Sequence, residues 1–232
     1  MKKNKIILVV AVMMVFATIL SACALLTQVS GIITKKVASS ISNADLKPED
    51  VQIAMNDLVL RPDDLPDEYR IPPSGESRYA NLAVINERGE LQGKKYIVAT
   101  GRVDGWRINL VRSNKEDIAP SYFESTIEVF ETSEGAALAI SPDWYKAYLT
   151  EGEPPTLEDG CNIGNACLLY HSSKHDPATN LTTVRYEVAF TYRNLLVWVM
   201  GRGLDVDVTP DYVLNAAQTV YDKIVQYESG SK

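Results

Sequence analysis

The amino-acid sequence predicts the α+β class, with a single twisted, mostly antiparallel sheet of about six strands and two main helices packed on it. Three observations support this prediction. From Lys95 onward, short runs rich in β-branched and aromatic residues recur, and some alternate between apolar and polar positions, as strands do. Short connections containing Gly, Asn or Pro separate these runs and favour antiparallel neighbours. A C-terminal amphipathic segment then supplies an apolar stripe that can cover the sheet.

The N-terminal segment indicates export. Lysines at three of the first five positions precede an apolar run from Ile6 to Leu20, a pattern typical of a signal peptide. The next residues, Leu20-Ser21-Ala22-Cys23, resemble the lipobox of bacterial lipoproteins. That resemblance implies that the thiol of Cys23 receives a diacylglyceryl group. It also implies that cleavage before Cys23 leaves this residue as the acylated first residue of the mature protein.

This interpretation divides the chain into a signal peptide (residues 1–22), a lipidated N-terminus and stem (23–43) and a single globular domain (44–232). It places the protein on the extracytoplasmic side of the cell membrane or outer membrane, with the membrane as a partner through the N-terminal lipid. Each buried methylene contributes about 0.8 kcal/mol, so two or more long chains give a stable anchor. An uncleaved transmembrane anchor is the alternative, because the uncharged stretch from Ile6 to Thr34 can span a bilayer of about 30 Å.

The stem carries a pattern of its own. Its apolar residues recur mostly at spacings of three and four, which predicts a helical stripe: Leu25, Leu26, Val29, Ile32, Ile33, Val37 and Ile41. One interpretation is an amphipathic helix resting on the membrane surface beside the lipid. The alternatives are that the stripe packs on the globular domain or that the stem is disordered.

Composition and charge narrow the classes of partner. An apolar share of 46% with 23% charged residues is ordinary for a folded domain. The formal net charge is −7, so phosphate backbones repel the chain and nucleic acid is not expected as a partner.

The cysteines divide into one for lipid and two for each other. With Cys23 acylated, Cys161 and Cys167 remain, separated by five residues that include Gly and Asn. These residue types tolerate the positive φ angles of a tight loop, and disulfides persist outside the cytoplasm. We therefore predict a Cys161–Cys167 disulfide. Two unpaired thiols or a metal pair are the alternatives.

The first half of the globular domain predicts a helix, a loop and then strands. Pro48 begins a short helix with acidic residues in its first turn, and the proline-rich stretch Arg61–Pro73 forms a surface loop. Tyr96–Thr100 and Trp106–Val111 flank Asp104-Gly105, which predicts a β-hairpin. Thr126–Glu131 is a further strand.

The remaining elements are predicted from Thr132 onward. A helix capped by Thr132 or Ser133 comes first, followed by a segment starting at Pro142 and a loop over Glu151–Gly160. Three strands are predicted next: Ala166–Tyr170, the half-buried Val184–Tyr192 with one wet face, and, after an Arg193-Asn194 turn, the central strand Leu195–Met200. The last element is a helix starting at Thr209-Pro210. This order, with the Asp64-Leu65-Pro66 entry before it, resembles PsbP-like domains of exported lipoproteins. The resemblance is to an arrangement and implies binding or assembly roles.

No group of residues predicts catalysis, so we expect neither an enzyme nor a cofactor. His171 and His175 are the only metal-type cluster, and they fall in a predicted loop without a third ligand, so no metal site is predicted. No glycine-flanked nucleophile turn or phosphate-binding glycine loop is present, and Gly201-Arg202-Gly203 predicts a turn.

The aromatic residues Trp144, Tyr145 and Tyr148 form a possible interaction patch, because tyrosine and tryptophan are favoured at recognition surfaces. The other interpretation is that these rings only cover the sheet. We expect a non-enzymatic binding or assembly module of the cell envelope, with an envelope protein or a small ligand as its partner. A small-ligand capture or sensor domain with an apolar pocket is the alternative, and an envelope hydrolase is a third possibility.

Overall fold

The strands pair into one antiparallel sheet of eight strands, seen in a computed structural model that describes residues 45–66, 68–113, 119–145 and 155–230. The strands are β1 (Tyr69–Arg70), β2 (Glu76–Arg78), β3 (Arg102–Arg112), β4 (Tyr122–Phe130), β5 (Thr156–Glu158), β6 (Ala166–Asp176), β7 (Leu181–Tyr192) and β8 (Leu195–Leu204). Their order is β1-β3-β4-β8-β7-β6-β5, and β2 pairs with another part of β3. The predicted central position of β8 is thus found.

In the described part of the chain, six α-helices lie on the two faces of the sheet. They are α1 (Pro48–Leu58), α2 (Asn81–Arg88), α3 (Glu90–Thr100), α4 (Ser133–Ala139), α5 (Pro142–Tyr145) and α6 (Pro210–Gly230). Helices α1 and α6 cover what we call the first face, and α2, α3 and α4 cover part of the second face. The predicted α+β class is confirmed, with more strands and more helices than expected. Among the described residues, no helix is long and apolar enough to cross a membrane.

The first face carries the larger hydrophobic core. The hydroxyl oxygen of Thr209 accepts a hydrogen bond from the Tyr212 amide at 3.3 Å, so this threonine caps α6 as predicted. The apolar stripe of α6 is buried against the sheet: Val213, Ala216, Ala217, Val220 and Ile224. Gly201 allows this close approach, because a Cβ there would lie 2.7 Å from Cγ2 of Val213. The predicted turn at Gly201-Arg202-Gly203 is therefore wrong, since these residues continue strand β8.

The second face buries a smaller cluster that includes Tyr96, Phe130, Ala189 and Trp198. The prediction of a wet face on the strand Val184–Tyr192 is wrong from Glu187 onward, while Arg185 remains partly exposed. Glu187, Ala189 and Thr191 are all buried on the side that was expected to face water.

The predicted hairpin over Tyr96–Val111 is also wrong. Tyr96–Thr100 forms the end of helix α3, and Gly101 terminates that helix with a positive φ of 64°. Asp104-Gly105 lies inside strand β3, next to a register shift in its pairing with β4. The β-branched residues of α3 misled the prediction because its buried positions are Gly93, Tyr96 and Thr100, which do not form an apolar stripe.

Three predicted loops contain strand. The loop expected over Arg61–Pro73 contains a short 3-10 helix, Pro62–Asp64, and strand β1, which pairs with β3. The loop expected to begin at His171 is part of β6, which continues to Asp176 before Pro177 ends it. The loop expected over Glu151–Gly160 contains the short strand β5 in its described part. Antiparallel pairing with β7 along the whole length of β6 stabilises these residues as strand.

Candidate functional site

The second face presents side chains in rows that run across the strands. Residues paired in register on antiparallel strands point to the same side, so each row can be read from the pairing. Row one contains Arg70, Val111, Tyr122, Arg202, Arg185 and Ser172. Row two contains Asn109, Glu124, Met200, Glu187 and Tyr170. The next row, which includes Arg107 and Trp198, is where helices α2 and α3 begin to cover the sheet.

We call five residues of rows one and two the polar floor: Tyr122, Glu124, Arg185, Glu187 and Arg202. They come from three neighbouring strands, β4, β8 and β7. The floor therefore lies on three strands whose relative positions are fixed by long antiparallel pairings.

Each carboxylate oxygen of Glu124 has a polar partner. Its Oε1 lies 3.3 Å from Nε of Arg107, and its Oε2 lies 3.2 Å from the hydroxyl of Tyr122. Burial raises the pKa of Glu124, the charge of Arg107 opposes this rise, and the charge of Glu187 adds to it. Burial, followed by the charge of Glu124, also raises the pKa of Tyr122 to about 12. The floor therefore holds a carboxyl group that protonates more readily than an ordinary one.

Glu187 is the most deeply buried carboxylate of the floor, with 1% of its side chain exposed. Arg185, two positions earlier on the same strand, donates from Nη2 to Oε2 of Glu187. Burial, together with the charge of Glu187, raises the pKa of Tyr170, the next residue in row two. A buried carboxylate requires such partners, because an unpaired charge is costly in a partly desolvated place.

A second, fully buried ion pair fixes the covered part of the same face. Arg102 donates from Nε to Oε2 of Glu128, from Nη1 to the Asn81 side chain at 2.6 Å and from Nη2 to the Tyr79 carbonyl at 2.6 Å. Tyr96 of α3 also donates to Glu128, at 3.3 Å. These bonds join α2 and α3 to the sheet beside the polar floor.

The predicted aromatic patch is only partly described. Trp144 lies half-buried on α5, its ring centroid 5.7 Å from that of Tyr96, and its carbonyl accepts a hydrogen bond from Arg88. It borders an apolar depression together with Leu91, Val98 and Ala99 of α3. The backbone of Tyr145 belongs to α5, while Tyr148 lies outside the described residues, as do Cys23, the signal peptide and the stem.

Cys161 and Cys167 form a disulfide, with their Cα atoms 5.5 Å apart. The loop between them lies against β7. Gly164 has a φ of +67°, and a Cβ at this position would lie 2.2 Å from the Thr191 carbonyl oxygen. Glycine is thus required by both the backbone angle and the close packing. Ile163 is buried in the larger core, so the disulfide fastens this loop onto the sheet.

The two histidines are too far apart to bind one metal ion. In a strand, residues four apart are separated by about 13 Å. The ring of His171 stacks on Tyr186 at 4.6 Å, and Nδ1 of His175 lies 3.3 Å from the hydroxyl oxygen of Thr182. No cluster of three or more metal-type side chains occurs in the described part of the chain.

The sequence alone did not reveal the polar floor. Its charged residues are dispersed over three strands, and only the strand register places them in the same two rows. One signal was available: Arg185 and Glu187 alternate with apolar residues in β7, and Glu124 occupies the same kind of position in β4. Charged residues in strands that are otherwise apolar indicate a surface with paired charges.

Comparison with known proteins gives little beyond this description. No family model matches the chain. A search of curated proteins gave no match. Among solved structures, the chain is similar to the extracellular domain of PknH from Mycobacterium tuberculosis, with 12% identity and a TM-score of 0.40. The alignment covers 79% of this chain and 98% of that one. We base no functional argument on a similarity of this degree.

Proposed function

We propose that this protein is a lipid-anchored, extracytoplasmic module that binds a component of the cell envelope without catalysing a reaction. The lipid would be attached to Cys23, and recognition would take place at the polar floor. The observation that carries the proposal is the floor itself, in which hydrogen-bonding and charged groups are held in place on a rigid sheet.

The arrangement of the floor favours binding over catalysis. Glu124 and Glu187 flank Met200 in row two, and two strand spacings of about 4.8 Å separate their backbones. Glu187 is paired with Arg185, and Glu124 shares Arg107 with Glu87. Because Glu187 is buried, a polar ligand would contact the exposed Arg202 and the partly exposed Arg185, which Glu187 holds in position.

The alternative of an apolar ligand pocket between a helix and the sheet has less support. The space between the first face and helices α1 and α6 is filled by buried side chains, among them Met55, Phe123, Val197 and Ile224. A depression beside Leu46 and Tyr227 at the edge of this layer is open to the surface and lined by polar as well as apolar residues. These features favour recognition at the surface.

The export pattern supports the location. A signal peptide followed by a lipobox delivers a protein to the outer side of the membrane, where the Cys161–Cys167 disulfide is stable. Recognition at that site would use components of the envelope.

The binding part of the proposal can be tested with a chain that begins at Asn43, because Asn43–Lys232 forms one compact unit that contains the two hydrophobic clusters described above. We expect this protein to co-sediment with washed envelope fragments from its own source. Thr183 is exposed on β7 and paired with Leu204, on the same face as Arg185. The substitution Thr183→Trp should therefore obstruct the open end of the floor and reduce co-sedimentation severalfold, without removing any charge.

The matched control is His175→Trp. His175 is also exposed and lies in the same β6–β7 hairpin, but its side chain points to the first face. This variant should bind like the wild type. Absence of co-sedimentation, or equal binding by both tryptophan variants when circular dichroism shows them folded, would contradict the proposed function.

A further inference from the structure

We propose that the open end of the second face binds an anionic group, a carboxylate or a phosphate, between Arg202 and Arg185. This inference rests on the proposed function, because it names the chemistry that the polar floor recognises. It depends on three observations. Two arginines occupy paired positions on neighbouring strands, one of them stacks on an aromatic ring, and positive charge is concentrated at this end of an otherwise acidic chain.

Arg202 and Arg185 occupy directly opposed positions on the neighbouring strands β8 and β7. Opposed Cα atoms in an antiparallel pair are about 4.5–5.5 Å apart, so the two arginine side chains leave the sheet from neighbouring positions. Like charges at such positions destabilise a sheet. Lys174, exposed in the adjacent row of β6, adds a third cation on the same face. Glu187 offsets part of this charge at Arg185, and an anion bound between the arginines would offset the charge of Arg202.

The two arginines are held differently. Arg185 donates to Glu187, which orients its guanidinium group along the floor. Arg202 is exposed, its guanidinium carbon lies 5.0 Å from the ring centroid of Tyr122, and it forms no ion pair with a described residue. A guanidinium group stacked on a ring keeps its in-plane N–H donors available for forked hydrogen bonds to carboxylate or phosphate oxygens.

The positive charge at the open end of the second face contrasts with the negative charge of the whole chain. The chain as a whole carries a net charge of −7, so its composition alone would repel anions. The hydroxyl group of Ser172 lies next to Arg185 in row one and supplies a neutral donor. Two arginines, a hydroxyl group and an aromatic ring in a single row form a surface suited to one anionic group.

The test uses nuclear magnetic resonance of the chain that begins at Asn43, with signals from the arginine Nε–H groups. Inorganic phosphate and acetate are titrated separately at constant ionic strength, so that the two sources of anionic charge are distinguished. We expect one or both to shift the Arg202 and Arg185 signals saturably. The variant Arg202→Gln should bind about tenfold more weakly, because it loses a charge-assisted forked bond. Arg202→Lys should lie between the two.

Lys47→Gln is the matched control, since it removes one exposed positive charge beside α1 on the opposite face. It should leave the affinity unchanged. Arginine signals that do not saturate, or an affinity that Arg202→Gln leaves intact, would overturn the inference. If phosphate and acetate fail to bind while Thr183→Trp still abolishes envelope binding, the proposed function stands and only the anionic chemistry is wrong. If an anion binds but envelope fragments do not, the proposed function is the part that fails.

Discussion

Glu124 determines part of the dependence of stability on pH. Burial raises its pKa above the ordinary value of 4.5, so the folded protein holds this proton to higher pH than the unfolded chain does. The resulting stability is fully present below pH 4.5 and is lost as the pH rises through the pKa of the folded state. We therefore expect the free energy of unfolding of the wild type, relative to Glu124→Gln, to decrease as the pH rises from 4.5 toward neutrality.

Urea denaturation of both proteins at several pH values provides the measurement. The variant Arg107→Gln extends the test, because it removes the cation that lowers the pKa of Glu124. In this background the decrease should still begin near pH 4.5 but should be larger and extend to a higher pH, because the pKa of the folded state is higher. A difference between wild type and Glu124→Gln that stays constant across the pH range would show that the carboxyl group is not perturbed.

Residues such as Glu124 mark the limit of prediction from sequence. The predicted strand Thr126–Glu131 covers only the second half of β4 and leaves Glu124 out, because the β-branched and aromatic residues that indicate strand are densest after Ser125. The neighbours of its carboxyl group were not predictable. Arg107, Tyr122 and Glu187 come from three strands, and a shift of one residue in the pairing would send each of them to the other face.

The turn between β7 and β8 connects three distant elements through a single side chain. Asn194 is fully buried, its Oδ1 accepts a hydrogen bond from the Leu46 amide at 2.9 Å, and its Nδ2 donates to the carbonyl oxygens of Leu46 and Phe130 at 2.8 Å. Asn194→Ala would leave these backbone groups without partners. Each such bond contributes about 1 kcal/mol net, so we expect a loss of about 3 kcal/mol in the free energy of unfolding.

Asn165→Ala is the matched control for this substitution. The Oδ1 atom of Asn165 accepts one hydrogen bond, from the Arg193 amide, and the residue is exposed. Its removal should cost less than about 1 kcal/mol. Equal losses for the two variants in urea denaturation would contradict the connecting role of Asn194.

Helices and strands could be predicted from the sequence where the residues that are buried in the fold are also the apolar residues of the local sequence pattern. Helix α6 has a capping threonine, a proline in its first turn and one apolar stripe, and all three predictions were correct. Helix α3 was missed because it packs through Gly93, where a Cβ would lie 2.5 Å from the Ile85 Cα, and through Tyr96 and Thr100. Because the buried residues of α3 are a glycine, a tyrosine and a threonine, the sequence shows no apolar residues at helical spacing there.

At the scale of the whole molecule, the proposed function requires that the polar floor be displayed at a membrane surface. The chain from Cys23 to Asp45 can extend at most about 75 Å, so a lipid at Cys23 keeps the floor within that distance of the membrane plus the width of the folded domain. Binding to envelope components then takes place at a high effective concentration, which compensates for a modest intrinsic affinity.

This arrangement predicts that Cys23 is the acylation site of the full chain. Expressed in a bacterial host with a clickable palmitate analogue, the wild type should be labelled and should fractionate with membranes, because two or more acyl chains hold it there. Cys23→Ser should lose the label, and the double variant Cys161→Ser/Cys167→Ser should keep it, since those sulfur atoms are paired with each other. Label retained on Cys23→Ser would disprove lipidation at this residue. Membrane association of an unlabelled wild type that resists alkaline extraction would instead support an uncleaved transmembrane anchor.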